Sequence, residues 1–132
     1  MENNLKDLTF EQINDLVQKN AEELSKTKGK KVLPLLINDA GFDSKEGNWV
    51  IGYFYAPSLR QKMSMMDSLE KDKFFKGFQL LKQNLITENS DVRFLQEEND
   101  ACHGIIMGAS IEVANKSIDI ALNQAVELKK NG

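Results

Sequence analysis

The sequence contains little cysteine, histidine or proline, and it has no excess of positive charge. Its 132 residues include one cysteine, one histidine and two prolines, and the formal net charge at pH 7 is −3. A single cysteine excludes an internal disulfide, and no second cysteine or histidine exists to complete a zinc site. Without a basic field, binding to nucleic acid or to an anionic membrane surface is disfavoured.

Long apolar runs are also missing. No stretch approaches eighteen apolar residues, and the start, MENNLKDLTF, lacks the apolar segment of a signal peptide. We therefore expect neither a transmembrane helix nor a secretion signal, and a protein that stays in the compartment where it is made. The length and the 41% hydrophobic fraction predict one folded core.

The expected fold is organised around residues 48–66, NWVIGYFYAPSLRQKMSMM. Aromatic and β-branched residues occupy both alternating sets of the first nine positions, which predicts a strand covered on both faces. Pro57 ends this strand, and Ser58 is a typical helix N-cap. Residues 31–37 form a second apolar run, in which Pro34 suits an edge strand. Ten residues, with several turn formers among them, join the two runs, so an antiparallel hairpin with a long tip is the simplest arrangement.

Four segments have helical periodicity. An amphipathic helix is expected over residues 9–28, with the Thr9 to Gln12 spacing of a capping box and Gly29 at its end. Two shorter helices are expected from Ser58 and Phe74, and a long one over residues 101–130. Gly104 and Gly108 in the last helix predict a close helix contact. The expected core positions lie on the strand and on the two shorter helices: Trp49, Leu59, Met63, Met66, Phe74, Phe78, Leu81 and Leu85. Phe75 and Leu80 widen the apolar stripe of the helix from Phe74.

These elements predict a mainly helical α+β protein, with a two-stranded antiparallel hairpin packed on a small helical bundle. Residues 1–30 are expected to carry a semi-detached N-terminal amphipathic helix, and residues 31–132 to form a single α+β domain. The last helix is apolar on more than one side. It is either central to the bundle or partly buried by another subunit.

Residues that suggest chemistry are few. Cys102 and His103 are adjacent, and adjacent helical positions point about 100° apart, so the two side chains do not grip one metal ion. The sequence has no glycine-rich phosphate loop and no nucleophile motif, and no pair of acids stands in an apolar setting. We expect structural roles for both residues, no metal, no cofactor and no enzymatic activity.

Five apolar residues fall outside the faces that one core requires. Because one small domain must hide its apolar surface, we expect some of them to contact another chain and predict a homo-oligomer or an assembly subunit. The predicted partner interface comprises Val17, Leu24, Met65, Val113 and Ile120.

The order of features is similar to a known family. GYFYAPSLR (residues 52–60) leads into a helix, LKQNLI (residues 81–86) ends a second helix, and LKK (residues 128–130) ends the last. This resembles small bacteriophage proteins of the tail assembly chaperone type, in which a GY-x-x-x-P-S/T-R strand end precedes a helix and a later L-x-N-C segment. The resemblance covers residues 31–130. The chain departs from it at Leu59, which separates Ser58 from Arg60, and at Leu85, where cysteine is expected.

The resemblance implies a non-enzymatic bacteriophage protein that acts through protein–protein contacts in virion morphogenesis. Chaperones of this type coat the apolar helices of a tape-measure protein and hand it to polymerising tail-tube protein. The implied location is the host cytoplasm during assembly, or the virion. Two alternatives stay open: a structural subunit of the virion (tail, connector or head-associated), and a small phage-encoded regulator directed at the host.

Overall fold

In the computed structural model, a two-stranded hairpin lies between one helix and a bundle of three others. The structure describes residues 8–41, 44–68 and 71–131, and for residues 127–131 it describes the backbone only. The order of elements is α1 (Phe10–Lys28), β1 (Val32–Asn38), β2 (Trp49–Tyr55), α2 (Leu59–Asp67), α3 (Lys73–Asn84) and α4 (His103–Asn131), with short 3-10 turns at Thr87–Asn89, Val92–Leu95 and Asp100–Cys102. The predicted mainly helical α+β class is confirmed. Within the predicted N-terminal unit, residues 1–7 lie outside the described part.

The helix ends follow local sequence signals. The Thr9 hydroxyl accepts a hydrogen bond from the Gln12 N–H, and the Gln12 side chain accepts one from the Thr9 N–H, so the predicted capping box is present. Gly29 ends α1 in the left-handed conformation (φ 71°), which a glycine adopts without steric strain. Ser58 and Gln61 form a second capping box at the start of α2.

The first helix is an integral layer of the fold. Ile13, Val17 and Ala21 are 1 to 3% exposed and share one apolar cluster with Val32 and Tyr53 of the hairpin. These three positions recur every four residues, so they form one helical stripe that lies flat on the sheet. Our expectation of a semi-detached helix is therefore wrong.

The hairpin is apolar on both faces because both faces are covered. Val32 pairs with Tyr55 in antiparallel register, and Asn38 pairs with Trp49 at the other end. Side chains alternate between the two faces with a period of two residues. One face carries Leu33, Leu35, Ile37, Val50 and Phe54 into the helical bundle, and the other carries Val32, Leu36, Trp49, Ile51, Tyr53 and Tyr55 toward α1. The predicted strand with two covered faces is confirmed.

The free edge of β2 is occupied by the segment that follows α3. The Tyr53 carbonyl accepts a hydrogen bond from the Ile86 N–H (2.8 Å), and the Ile51 carbonyl accepts one from the Asp91 N–H (3.0 Å). Between them, the Tyr53 N–H donates to the Ser90 hydroxyl (3.0 Å). This segment therefore takes the place of a third strand along β2.

Two side chains bind backbone groups at the free edge of β1. The Val32 N–H donates to the Ser25 hydroxyl (2.9 Å), and the Lys116 ammonium donates to the Pro34 carbonyl (2.7 Å). Pro34 itself has no N–H to offer, as its predicted place on an edge requires. Addition of a strand from another chain is disfavoured at both edges of the hairpin.

The core face of α2 differs from the predicted stripe. Met65 is 1% exposed, whereas Leu59 and Met63 are 73% and 61% exposed. The Gln61 amide and the buried Asn84 amide exchange hydrogen bonds of 3.0 and 2.9 Å. Since residues four apart share a helix face, this contact turns Met65 inward and Leu59 and Met63 outward. Met66, also expected in the core, is partly buried and packs against it.

The core face of α3 is also displaced. Leu80, Leu81 and Leu85 are buried as predicted, but Phe74 and Phe75 are 49% and 58% exposed. The cause is Gly77, where an added Cβ would collide with the Ser110 carbonyl oxygen and lie 2.9 Å from the Ala114 Cβ of α4. The two helices cross closely at this glycine, which leaves the phenylalanines beside the crossing rather than in it. Trp49 and Phe78, also expected in the core, are only partly buried.

The close helix contact predicted at the glycines of α4 is not made at Gly104. Gly104 is exposed, and a Cβ placed there meets nothing within 4 Å. Gly108 is buried.

We expect Gly77→Ala to lower the free energy of unfolding by about 1 to 3 kcal/mol, because the new methyl group collides with backbone of α4. Alanine normally stabilises a helix relative to glycine by about 0.5 to 1 kcal/mol. Gly104→Ala, where the methyl group meets open space, is the matched control and should be neutral or stabilising. Urea unfolding measures both, and a stabilised Gly77→Ala variant would contradict the close crossing.

Burial raises the pKa of the Tyr53 hydroxyl above its ordinary value of 10.0, and the hydrogen bond from Asn20 opposes this shift. The unfolded chain therefore loses this proton at lower pH than the folded chain, and stability falls as pH rises above 10.0. We expect Tyr53→Phe to reduce that fall. The control is Tyr55→Phe, and urea unfolding at about pH 8 and about pH 11 measures the effect; equal pH dependence in wild type and Tyr53→Phe would contradict it.

Candidate functional site

An open apolar groove of about 600 Å³ lies between α3 and the first half of α4, and we call it the phenylalanine groove. The side chains that line it come from both helices and from the turn before α4. They are Phe74, Phe75, Phe78, Glu97, His103, Ile106, Met107, Ser110 and Ile111.

The walls of the groove follow from the close crossing at Gly77. Because the helix axes approach there, α3 buries Leu80 and Leu81 in the crossing and presents its phenylalanines on the flank. The rings of Phe75 and Phe78 pack 6.2 Å apart at an angle of 43°. Met107 faces them from α4 with 61% of its surface exposed.

The exposed phenylalanines and Met107 lie next to one another and form one apolar patch. A single exposed apolar side chain is ordinary, but a contiguous apolar patch is typical of a surface that binds another molecule. Aromatic residues and methionine are also enriched at protein interfaces, and methionine adapts its shape to different partners. The groove can therefore bind an apolar surface.

One end of the groove is polar. The Lys82 ammonium lies 3.0 Å from the Glu97 carboxylate and 5.3 Å from the centre of the Phe78 ring. The His103 imidazole contacts the Glu97 carbonyl through Nε2 (2.6 Å) and the Asp100 carboxylate through Nδ1 (3.3 Å). Both ring nitrogens of this histidine are thus engaged by the turn that precedes α4.

Cys102 and His103 point into different surroundings. The cysteine is buried, with its Sγ 3.4 Å from the Gln96 side-chain oxygen, whereas the histidine lies at the surface of the groove. No nucleophile and base face each other across a cleft at this position. In residues 8–41, 44–68 and 71–131, no three Cys, His, Asp or Glu side chains come close enough to hold a metal ion.

A smaller apolar groove of about 340 Å³ lies between α2 and the second half of α4. Leu59, Met63 and Met66 form one wall, and Ala121 and Ala125 form the other. The Lys62 ammonium donates to the Gln124 side-chain oxygen across it (2.8 Å). This groove exists because α2 turns Leu59 and Met63 outward.

Three of the five predicted interface residues lie inside the protein. Val17, Met65 and Val113 are at most 1% exposed and pack in the chain's own core, so their prediction as partner contacts is wrong. Val17 faces the hairpin, and Met65 shares the inward face of Gln61. Leu24 and Ile120 are partly buried, and their role in an interface stays a prediction.

Sequence reasoning missed the residues of the phenylalanine groove. Phe74, Phe75 and Met107 are apolar, and an apolar residue at helical spacing indicates a core position. Only Gly77 carried a signal, because a glycine inside a strong helix often marks a close approach of another element.

Comparison of this chain with models of known protein families, with curated proteins and with solved structures finds no match. Across the described residues, every helix is too short or too polar to cross a membrane.

We expect Phe75→Ser to leave the free energy of unfolding within about 0.5 kcal/mol of wild type, because the side chain is largely exposed. The same change should markedly reduce binding of a fluorescent apolar dye such as anilinonaphthalene sulfonate, since it removes one wall of the groove. The control is Val92→Ser, which removes a 59% exposed apolar residue elsewhere. Equal dye binding by all three proteins would contradict the groove as the main apolar binding surface.

Proposed function

We propose that this chain is a non-enzymatic protein that binds apolar helical segments of other proteins in the phenylalanine groove, in the manner of a bacteriophage tail assembly chaperone. The observation that carries the proposal is the row of Phe74, Phe75 and Phe78 on one flank of α3, facing Met107 across an open groove.

The hairpin edges argue against an extended peptide as the partner. The edge of β2 is covered by the segment after α3. On the edge of β1, Pro34 has no N–H, and the Val32 N–H and the Pro34 carbonyl are already bonded within the chain, so an incoming strand meets an interrupted row of hydrogen-bonding groups. A groove between two helices suits another helix, because an amphipathic helix satisfies its own backbone and offers apolar side chains every three or four residues. Its apolar face would replace water on the exposed rings.

The tail assembly chaperone role enters from the sequence resemblance over residues 31–130. Such a chaperone holds apolar helices of a longer protein until that protein assembles, and an open apolar groove with a methionine wall is suited to several related sequences. Action during virion assembly places the protein in the host cytoplasm. The other role proposed for the same surface is that of a structural subunit of the virion.

We expect a synthetic amphipathic helix with leucines at positions i, i+4 and i+7 to bind the protein, and a peptide of the same composition with the leucines scrambled to bind at least about tenfold more weakly. Fluorescence anisotropy of labelled peptides measures this. Phe75→Ser and Met107→Ser should each weaken binding about tenfold or more, as loss of a central apolar contact does.

Val92→Ser is the control for this experiment and should bind the peptide like wild type, because Val92 lies outside the groove. Equal binding of both peptides, or no effect of either groove substitution, would overturn the proposed binding site.

The assembly role is tested separately. In purified particles of a phage that encodes this chain, mass spectrometry should not detect the protein if it acts as a chaperone. Detection at high copy number would favour the structural subunit instead.

A further inference from the structure

The second half of α4 extends beyond the core of the chain. Among the residues of α4 whose side chains the structure describes, the last buried one is Ile118, and none of residues 119–126 is buried. The helix nevertheless continues to Asn131, which is thirteen residues or about 20 Å further. Most of the stability of a helix in a protein comes from packing of its apolar face, and this stretch has little such packing within its own chain.

The uncovered side of this extension is apolar. Leu122 and Val126 are 43% and 56% exposed and lie one turn apart, on the same face. Gln124, which bonds to Lys62 of α2, is two positions from each and therefore points to the opposite side. The apolar pair faces away from the rest of the chain.

The extension and the phenylalanine groove agree in length. Along α4, the groove spans His103 to Ile111, eight residues or about 12 Å. From Leu122 to Lys130 the distance along the helix is again eight residues, about 12 Å. The phenylalanine groove and the extension each have one apolar end and one charged end.

The charged ends are complementary. The groove ends at the acidic run QEEND (residues 96–100), where Glu98 and Asp100 are exposed and the Glu97 carboxylate already pairs with Lys82. In the sequence, Leu122 and Val126 are followed by one acidic residue, Glu127, and then by two basic residues, Lys129 and Lys130. A helix placed with Leu122 near Ile111 brings backbone positions 129 and 130 toward the acidic run.

We propose that residues 122–130 of one copy dock in the phenylalanine groove of a second copy. The inference rests on the proposed function, because it assigns a second occupant to the same groove. The two contacting surfaces are different parts of the chain, so the contact is head-to-tail and propagates to open, concentration-dependent assemblies unless it closes into a ring. The docked helix also competes with any partner helix and so regulates access to the groove.

The test uses a pair of variants that damage opposite halves of the contact. Leu122→Glu with Val126→Glu damages the extension, and Phe75→Glu damages the groove. Since all three side chains are largely exposed, circular dichroism should show both variants folded. Size-exclusion chromatography with light scattering at increasing concentration should show assemblies for wild type and monomers for each variant alone.

Mixing the two variants is the decisive measurement. The extension variant keeps an intact groove and the groove variant keeps an intact extension, so the mixture should form one-to-one dimers and nothing larger. Val92→Glu, an exposed apolar position elsewhere, is the control and should assemble like wild type. Lys129→Glu with Lys130→Glu should weaken assembly about tenfold, and Glu98→Lys with Asp100→Lys in the mixing partner should restore it.

Three results would overturn the inference: wild type that stays monomeric at all concentrations, variants that still assemble alone, and variants that do not pair when mixed. Binding of the helical peptide to the extension variant is measured as well. This measurement distinguishes a failure of the self-association inference from a failure of the proposed function. Binding of the peptide without self-association leaves the groove as a partner site and removes only the second copy. If the variants pair as predicted but the peptide does not bind, the groove is a site for a second copy, and only the proposed binding of a partner protein is contradicted.

Discussion

The fold depends on the close crossing of α3 and α4 at Gly77. Only a residue without a side chain fits against the Ser110 backbone, and the facing positions Ser110 and Ala114 are small and buried. The Ser110 hydroxyl donates to the Ile106 carbonyl within its own helix (2.8 Å), so this polar group is satisfied at the crossing. With the backbones this close, large side chains have room only beside the crossing. The buried leucines and the exposed phenylalanines of α3 are two results of one constraint.

The hairpin is the other fixed part of the fold, and it carries two apolar clusters rather than one. Its bundle face belongs to the larger cluster, and its second face belongs to the smaller cluster with α1. A two-stranded sheet alone is marginally stable in water, and packing against helices supplies the missing stability. Gly52 also allows close packing on the hairpin, because the ring of Phe94 occupies the space where a Cβ would lie. The proposed groove is thus built on helices that the hairpin holds in place.

Local features were predictable from the sequence, and the orientation of helix faces was not. The caps at Thr9, Ser58 and Gly29 each depend on residues within one turn, so the sequence pattern contains all the information they require. The two-faced strand was predictable for the same reason. The inward face of α2 depends on Gln61 meeting Asn84, twenty-three positions away, and periodicity does not report such a meeting. The phenylalanine groove depends in turn on which side of α3 meets α4, so its residues were assigned to the core.

The bond between Lys116 and Pro34 joins residues that are 82 positions apart. The helix that carries this lysine also covers the bundle face of the hairpin, through residues from Ile105 to Ile118. During synthesis, the hairpin therefore leaves the ribosome long before the helix that shields it. Until residue 118 has emerged, Leu35, Val50 and Phe54 lack the part of their cover that α4 supplies, and the nascent chain is open to aggregation and to chaperones of the cell. The time taken to translate the segment between the hairpin and α4 sets how long that exposure lasts.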